Sequence, residues 1–226
     1  MNKTNIEFAD FSWNPITGCK NGCNYCWARK FNDRYFKQDF FIPQFHKERL
    51  NDKIPGLPKE RNEIARIISP TKPIIFTVDL GDIFSLGVDP MWIKSVFAFA
   101  KSHQEAIYLF LTKRPEYYQK WSGYISRENS IIGTSLDYAH NYKRVLPIQH
   151  AGTFGFKTFV NIEPIMSRMD GVNFLGIDFV IVGALTGMKY RPDPVWHKSI
   201  NHPIIYYKQN YSVYFPELNN LLKIVK

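Results

Sequence analysis

The sequence predicts an α/β fold: a partial β/α barrel of parallel strands with helices packed outside. Two observations predict it. Short, continuously apolar runs rich in β-branched residues recur along the chain, each bounded by Gly, Pro or Asp. Between them lie segments with helical spacing and helix-start signals. Strands alternating with helices in this way make a parallel sheet covered by helices, as a barrel or a doubly wound sheet. No Gly-x-Gly-x-x-Gly fingerprint and no phosphate loop ending in Lys-Ser/Thr is present, which favours the barrel. In both architectures function sits at the carboxyl ends of the strands.

The elements follow in order. Trp13 to Gly18 reads as a short strand feeding a cysteine-rich loop, and Asn24 to Phe36 as a helix. Pro43 to His46 is a further short strand. Ile74 to Val78 is a β-branched run between Pro73 and the turn Asp79-Leu80-Gly81-Asp82. Asp89-Pro90 opens a helix that runs through Lys101, because proline suits a first helical turn. Ile107 to Leu111 ends at Thr112-Lys113-Arg114-Pro115, and Ile131 to Thr134 precedes a helix from about Asp137 to Gln149. Thr158 to Asn161 ends at Glu163-Pro164, Phe179 to Val182 at Gly183, and Ile204 to Tyr207 at Lys208-Gln209. Phe40 to Pro73 reads as an insertion after the first helix, with Pro55-Gly56-Leu57-Pro58 an exposed turn. With no repeat, low-complexity tract or clear linker, one domain over residues 1–226 is expected, its core at 12–210.

Composition narrows the function. The chain of 226 residues is 45% hydrophobic and 22% charged. That is enough to bury a core without disulfides. The longest apolar run is Phe179 to Leu185. It falls far short of the roughly 20 residues that span a bilayer. The first ten residues carry no secretory-signal pattern. A cytoplasmic protein without a membrane partner is expected. The net charge is +9 and uneven: Arg29 to Lys72 holds 11 basic and 6 acidic residues, and Lys189 to the end holds 6 and 2. A positive field attracts polyanions, and counterion release would drive binding to nucleic acid; solubility is the plainer reading.

The three cysteines, Cys19, Cys23 and Cys26, all fall within eight residues. An odd number in a chain without a signal peptide argues against a disulfide framework, and the clustering argues for a metal. Structural zinc takes four ligands, so a distant residue such as His46 would have to complete the set. An iron–sulfur cluster normally takes four thiolates, and three would leave one iron open to a substrate or cofactor.

The spacing C-x3-C-x2-C, with aromatic Tyr25 before the last cysteine, resembles the signature of the radical S-adenosylmethionine (SAM) superfamily. That resemblance implies a partial six-stranded barrel and a [4Fe-4S] cluster held by Cys19, Cys23 and Cys26. It implies that SAM chelates the open iron and that one electron splits SAM to a 5′-deoxyadenosyl radical. The radical then abstracts hydrogen from a substrate. A one-electron reductant is an implied partner. The protein's share is position and exclusion of water.

The strand ends offer candidates for that cofactor, each with a structural alternative. The resemblance places the SAM amino group near Asp79, Gly81 and Asp82, where a carboxylate could take a charge-assisted bond and a glycine lets backbone approach a ligand. The alternative there is an Asx turn and helix cap. Lys113 could hold the SAM carboxylate or a substrate phosphate, or be solvated. Ser135 and Asp137 could bind the ribose, or cap the next helix. Glu163 needs a partner if buried, either ligand or protein. Gly183 to Gly187 could line the adenine or simply turn the chain. Lys208-Gln209 and Arg191 could face a substrate. Aromatics such as Trp27, Tyr117 and Tyr118 could stack bases, although such residues more often pack in a core.

A closer resemblance covers most of residues 12–210. Its segments are Trp13-Asn14-Pro15 with Thr17-Gly18-Cys19, Asp82-Ile83-Phe84, Leu111 to Pro115, Gly133-Thr134-Ser135, Ile162-Glu163-Pro164, Val180 to Gly183, and Lys208-Gln209. Together they resemble a radical SAM-like family found in phages and prophages. The chain departs from that family's pattern in three places. Its first two cysteines are closer together than usual, Gly183-Ala184-Leu185 stands where Gly-Gly-Glu is usual, and Asp137 stands where Glu often follows Ser. The expected function is a radical SAM enzyme acting on a nucleic-acid base or nucleotide, as in phage DNA modification. Two alternatives are the same chemistry on a peptide or small metabolite, and a non-enzymatic nucleic-acid-binding protein with a structural zinc or cluster.

Overall fold

The structure, a computed structural model, describes residues 1–186, 191–218 and 222–224. The fold is mixed α/β with a mostly parallel central sheet. In chain order the elements are β1 (Asn2–Lys3), β2 (Phe11–Trp13), β3 (Ile16–Thr17), α1 (Trp27–Tyr35), β4 (Gln44–Phe45), α2 (Glu63–Ile68), β5 (Ile74–Thr77), α3 (Pro90–Ser102), β6 (Ile107–Thr112), α4 (Tyr117–Trp121) and β7 (Ser130–Ser135). They continue as α5 (Val145–Thr153), β8 (Lys157–Ile162), β9 (Phe179–Val182), α6 (Pro194–Lys198), β10 (Ile204–Tyr207), α7 (Gln209–Ser212) and β11 (Leu222–Ile224). The chain divides into two compact units, residues 1–112 with 120–131, and residues 113–119 with 132–226.

In the first unit β2, β5 and β6 run parallel, Trp13 opposite Thr77 and Thr77 opposite Phe110, with β1 antiparallel to β2. Every residue of β5 is buried, as an interior parallel strand requires. Helix α3 starts where the sequence signals it. Asp89 accepts from the Met91 amide at 2.7 Å and Pro90 opens the first turn. Its Ile93, Val96, Phe97 and Ala100 form the buried stripe. Trp13 packs on Phe99 with ring centroids 4.5 Å apart, and Phe97 on Phe110 at 5.0 Å.

The segment read as an insertion contains α2 and is pinned by a buried ion pair. Arg61 makes a two-point contact with Asp10, at 2.7 and 2.8 Å, and also donates to the Ser69 carbonyl. The same carboxylate accepts from the Ile74 amide at the start of β5. Removing either partner of such a buried pair costs about 3–5 kcal/mol, because it strands the other charge. A second, two-stranded sheet joins β3 to β4, Ile16 opposite Phe45, and so lays the insertion beside the entry to the cysteine loop.

In the second unit β8, β9 and β10 run parallel and β11 pairs antiparallel with β10. Val160, Val180, Ile181, Val182 and Ile205 fill its core, and Phe159 stacks on Phe179 at 5.4 Å. Buried His202 bridges the Ile177 carbonyl and the Ile204 backbone.

Three boundaries differ from the sequence reading. The helix expected from Asp137 to Gln149 is a 3-10 turn over Ala139–Arg144 followed by α5. Helix α1 is shorter than 24–36, because Cys26 serves as its N-cap. The strand read as Trp13 to Gly18 is two short strands interrupted at Asn14-Pro15, where proline lacks the N–H a ladder needs.

Candidate functional site

The cysteine loop belongs to the first unit and is tied down at successive residues. Gly18 donates its amide to the Leu80 carbonyl at 3.0 Å and forms a bridge with Gly81. Cys19 donates to Phe40 O at 2.8 Å, Lys20 to Ser85 Oγ at 2.7 Å, and Asn21 Nδ2 to Asp82 Oδ2 at 2.8 Å. Both glycines are required by space. A Cβ on Gly81 would lie 2.8 Å from the Gly18 oxygen, and one on Gly18 would lie 2.9 Å from two carbonyls, at φ +85°. The close approach that Gly81 permits is therefore to Gly18 of the chain itself.

Asp82 is 4% exposed and serves as the node beneath this loop. Its Oδ1 accepts from the Thr112 hydroxyl at 2.7 Å and the Phe84 amide at 2.9 Å, while Oδ2 takes Asn21. Asp79 lies just before it and takes a bond from Asn14 Nδ2, while Asn14 Oδ1 accepts from the Leu80 amide at 2.9 Å. Burial raises the Asp79 carboxyl above its ordinary pKa. Between strand β5 and this turn, Val78 has a positive φ, in the left-handed region. A β-branched residue adopts that conformation only under constraint from its surroundings. Its amide is held by Trp13 O at 2.8 Å.

The three cysteines are free thiols and half-buried, and Tyr25 is half-buried beside them in sequence. The Asn21 amide points at Cys19 Sγ and the Arg29 amide at Cys26 Sγ, both at 3.4 Å. Burial, and then the Asp82 carboxylate, push the Cys19 thiol up to about 12; burial also raises Cys26. In the metal-free chain both thiols keep their protons at neutral pH, so ligation would release protons. Among the described residues no three His, Cys, Asp or Glu side chains are arranged to hold a single metal ion. Three thiols on one loop, with no fourth cysteine in the chain, would leave one iron of a four-iron cluster without a protein ligand, and the Cys19 and Cys26 sulfurs already accept amide N–H bonds.

The remaining candidates lie in the second unit, in two charged clusters. Asp137 accepts from Asn141 Nδ2 at 2.7 Å and pairs with Lys113 and Arg144, each at 3.1 Å. Its carboxylate is engaged by these side chains, and the following 3-10 turn has no side-chain cap. Ser135 offers its carbonyl to Arg144 at 3.3 Å. Glu163 accepts from Lys208 Nζ at 2.6 Å and from Asn210 at 3.1 Å. A Cβ on Gly183 would lie 2.7 Å from the Glu163 carboxyl, so that glycine makes room for the acid. Asn161 Oδ1, buried at the end of β8, has no hydrogen-bond partner. Gly187 lies outside the described residues.

Sequence reasoning missed partners that fix these acids, Asn14, Asn21, Thr112, Arg144 and Asn210, and Ser85, which accepts from the Lys20 amide. Asn14 and Thr112 stand just beyond apolar runs, which is the signal that could have found them. Asn21 lies inside the cysteine loop itself. Among the described residues no helix is long and apolar enough to cross a membrane.

This mixed α/β fold is similar to that of spore photoproduct lyase. A mutant of that enzyme with dinucleoside spore photoproduct superposes with TM-score 0.55 at 12% identity, over 98% of this chain and 64% of that one. A double mutant with bound AdoMet and dinucleoside spore photoproduct gives 0.55 at 11%, over 98% and 65%. The chain thus spans a little under two thirds of the length of either structure, and at this identity the likeness is one of fold. No curated protein matches the chain. The chain belongs to the family described as Protein of unknown function (DUF5131), whose model matches residues 3–214.

Proposed function

We propose that this protein is a radical SAM enzyme. Cys19, Cys23 and Cys26 would hold a [4Fe-4S] cluster, and the substrate class is a nucleic-acid base or nucleotide. The observation that carries the reading is the loop: every cysteine of the chain lies on it, and backbone and side-chain bonds fix it from Gly18 to Asn21. When bound, the cluster would supply the electron for reductive cleavage of SAM. The fold likeness to a structure holding AdoMet and a dinucleoside supports both the cofactor and the substrate class. The net charge of +9 supports a polyanionic partner. A role in phage DNA modification rests on the family resemblance of the sequence motifs.

The chain's own residues then divide the work. Asp82, Ser85 and the paired glycines position the cysteine loop. Asp79, steadied by Asn14, is the carboxylate assigned to the SAM amino group. Lys113, Ser135, Asp137 and Glu163, in the second unit, stay candidate ligand-binding residues, with Arg144 and Lys208 holding the two acids in place.

Anaerobic purification with iron and sulfide analysis tests the assignment. About four irons per chain are expected in the natural protein, and loss of that content in Cys23→Ala. One zinc per chain without iron would overturn it.

A further inference from the structure

Helix α1 turns its apolar residues outward. Trp27, Phe31 and Tyr35 recur at every fourth position and are 46%, 37% and 58% exposed, whereas only Ala28 and Asn32 are buried. A core-facing helix would show the reverse. The three rings form a continuous ladder, with centroids 6.3 Å apart from Trp27 to Phe31 and 4.6 Å from Phe31 to Tyr35. Exposed Phe36 joins at 5.7 Å from Phe31.

The charges interleaved with these rings narrow the occupant. From Trp27 to Lys37 the chain carries Arg29, Lys30, Arg34 and Lys37 against Asp33 alone, a net of +3. Arg34 lies over the Tyr35 ring at 5.3 Å, and Arg29 over Phe41 at 5.8 Å. Cores of protein–protein interfaces are depleted in charge, and in lysine especially. Rings alternating with cations are instead the means by which proteins hold unpaired nucleic acid, the bases on aromatic faces and the phosphates on basic side chains. Steps of four residues advance the rings by about 6 Å along the helix. The helix is capped by Cys26, so this face begins one residue beyond the last candidate cluster ligand.

We infer that the outer face of α1 is a stacking platform for a single-stranded nucleic acid, with bases on Trp27, Phe31 and Tyr35 and phosphates on the four cations. The inference rests on the nucleic-acid reading proposed above, and it names the surface by which such a substrate would be held.

Fluorescence anisotropy with a labelled single-stranded oligothymidine, on the metal-free full chain and across a salt series, tests it. Single-strand binding is expected, with log affinity falling against log salt at a slope of about −3, from roughly 0.7 per phosphate contact. Phe31→Ala and Tyr35→Ala should each weaken it about tenfold. Arg29→Gln with Arg34→Gln should flatten the slope by about 1 to 1.5. Leu175→Ala, at a residue 81% exposed in the second unit, should change nothing. Absence of single-strand binding, or binding within twofold of normal in the Trp27→Ala, Phe31→Ala, Tyr35→Ala triple variant, overturns the inference. So does a wild-type dimer in sedimentation that the triple variant abolishes without loss of oligonucleotide binding, since the face would then join two copies. The assay uses no cluster, so failure of SAM cleavage would sink the enzymatic reading separately.

Discussion

The Asn21 side-chain amide donates to Asp82 Oδ2 at 2.8 Å, and this bond ties the middle of the cysteine loop to the turn after β5. Asp82 holds Thr112 and Phe84 with its other oxygen, so one buried carboxylate joins the loop, the turn and the end of β6. Asp82→Ala strands three donors at once and should cost about 1–3 kcal/mol, read as a lower urea midpoint. Removing the carboxylate also removes a charge that opposes ionisation of Cys19, so that thiol should alkylate faster in the metal-free variant. An unchanged midpoint would show that the loop is held some other way.

Gly18→Ala should be more damaging than its size suggests. The new methyl would meet two backbone oxygens at 2.9 Å, in a left-handed conformation that alanine resists. A loss of about 2 kcal/mol or more is expected in chemical denaturation. Gly123→Ala is the control, because nothing lies within 4 Å of a Cβ there. Equal stability of the two variants would contradict the packing described for the loop.

Asp79 sets a pH dependence whose sign is fixed. Burial raises its carboxyl in the folded chain above the unfolded value, so the folded state takes up a proton more readily. The group's favourable contribution is full below the unfolded pKa and is lost as pH rises through the folded one. Asp79→Asn should therefore raise stability at neutral pH relative to the natural chain. The advantage should shrink as pH falls toward the ordinary aspartate range. A variant less stable at neutral pH than at acid pH, relative to the natural chain, would reverse the assignment.

Glu163 and Lys208 form a partly buried pair at 2.6 Å, their side chains 19% and 13% exposed. Lys208→Met leaves the acid with only amide donors and should cost about 2 kcal/mol, below the roughly 3–5 kcal/mol of a fully buried pair. Combined with Glu163→Gln, the loss should be smaller than the sum of the two single losses, which a double-mutant cycle in urea measures. Strict additivity would mean the two side chains do not interact in solution.

Much of this fold is legible because the strands announce themselves. Phe179 to Val182 and Ile204 to Tyr207 are strands over the residues the apolar runs mark, since an interior parallel strand is apolar on both faces. Asp89-Pro90 marks the start of α3 through a capping bond that needs only neighbouring residues. What stays hidden depends on distant partners. Strand β1 is two exposed residues and exists by pairing with β2. Asp137 looks like a helix cap in sequence, yet its carboxylate is taken by Lys113, Asn141 and Arg144, and the helix starts later as α5. The cysteine motif was visible as spacing. The glycine contact and the Asp82 node that hold it join residues far apart in the chain.

The proposed enzymatic function turns on whether this loop carries a cluster that cleaves SAM. The deciding assay is 5′-deoxyadenosine release from SAM by the anaerobically reconstituted protein with a strong reductant, for the natural chain and for Cys19→Ala, Cys23→Ala and Cys26→Ala. Release by the natural chain is expected, with none above background from any of the three variants. Undiminished release from any one variant would refute the three-cysteine cluster, and no release from a natural chain loaded with about four irons would refute SAM cleavage.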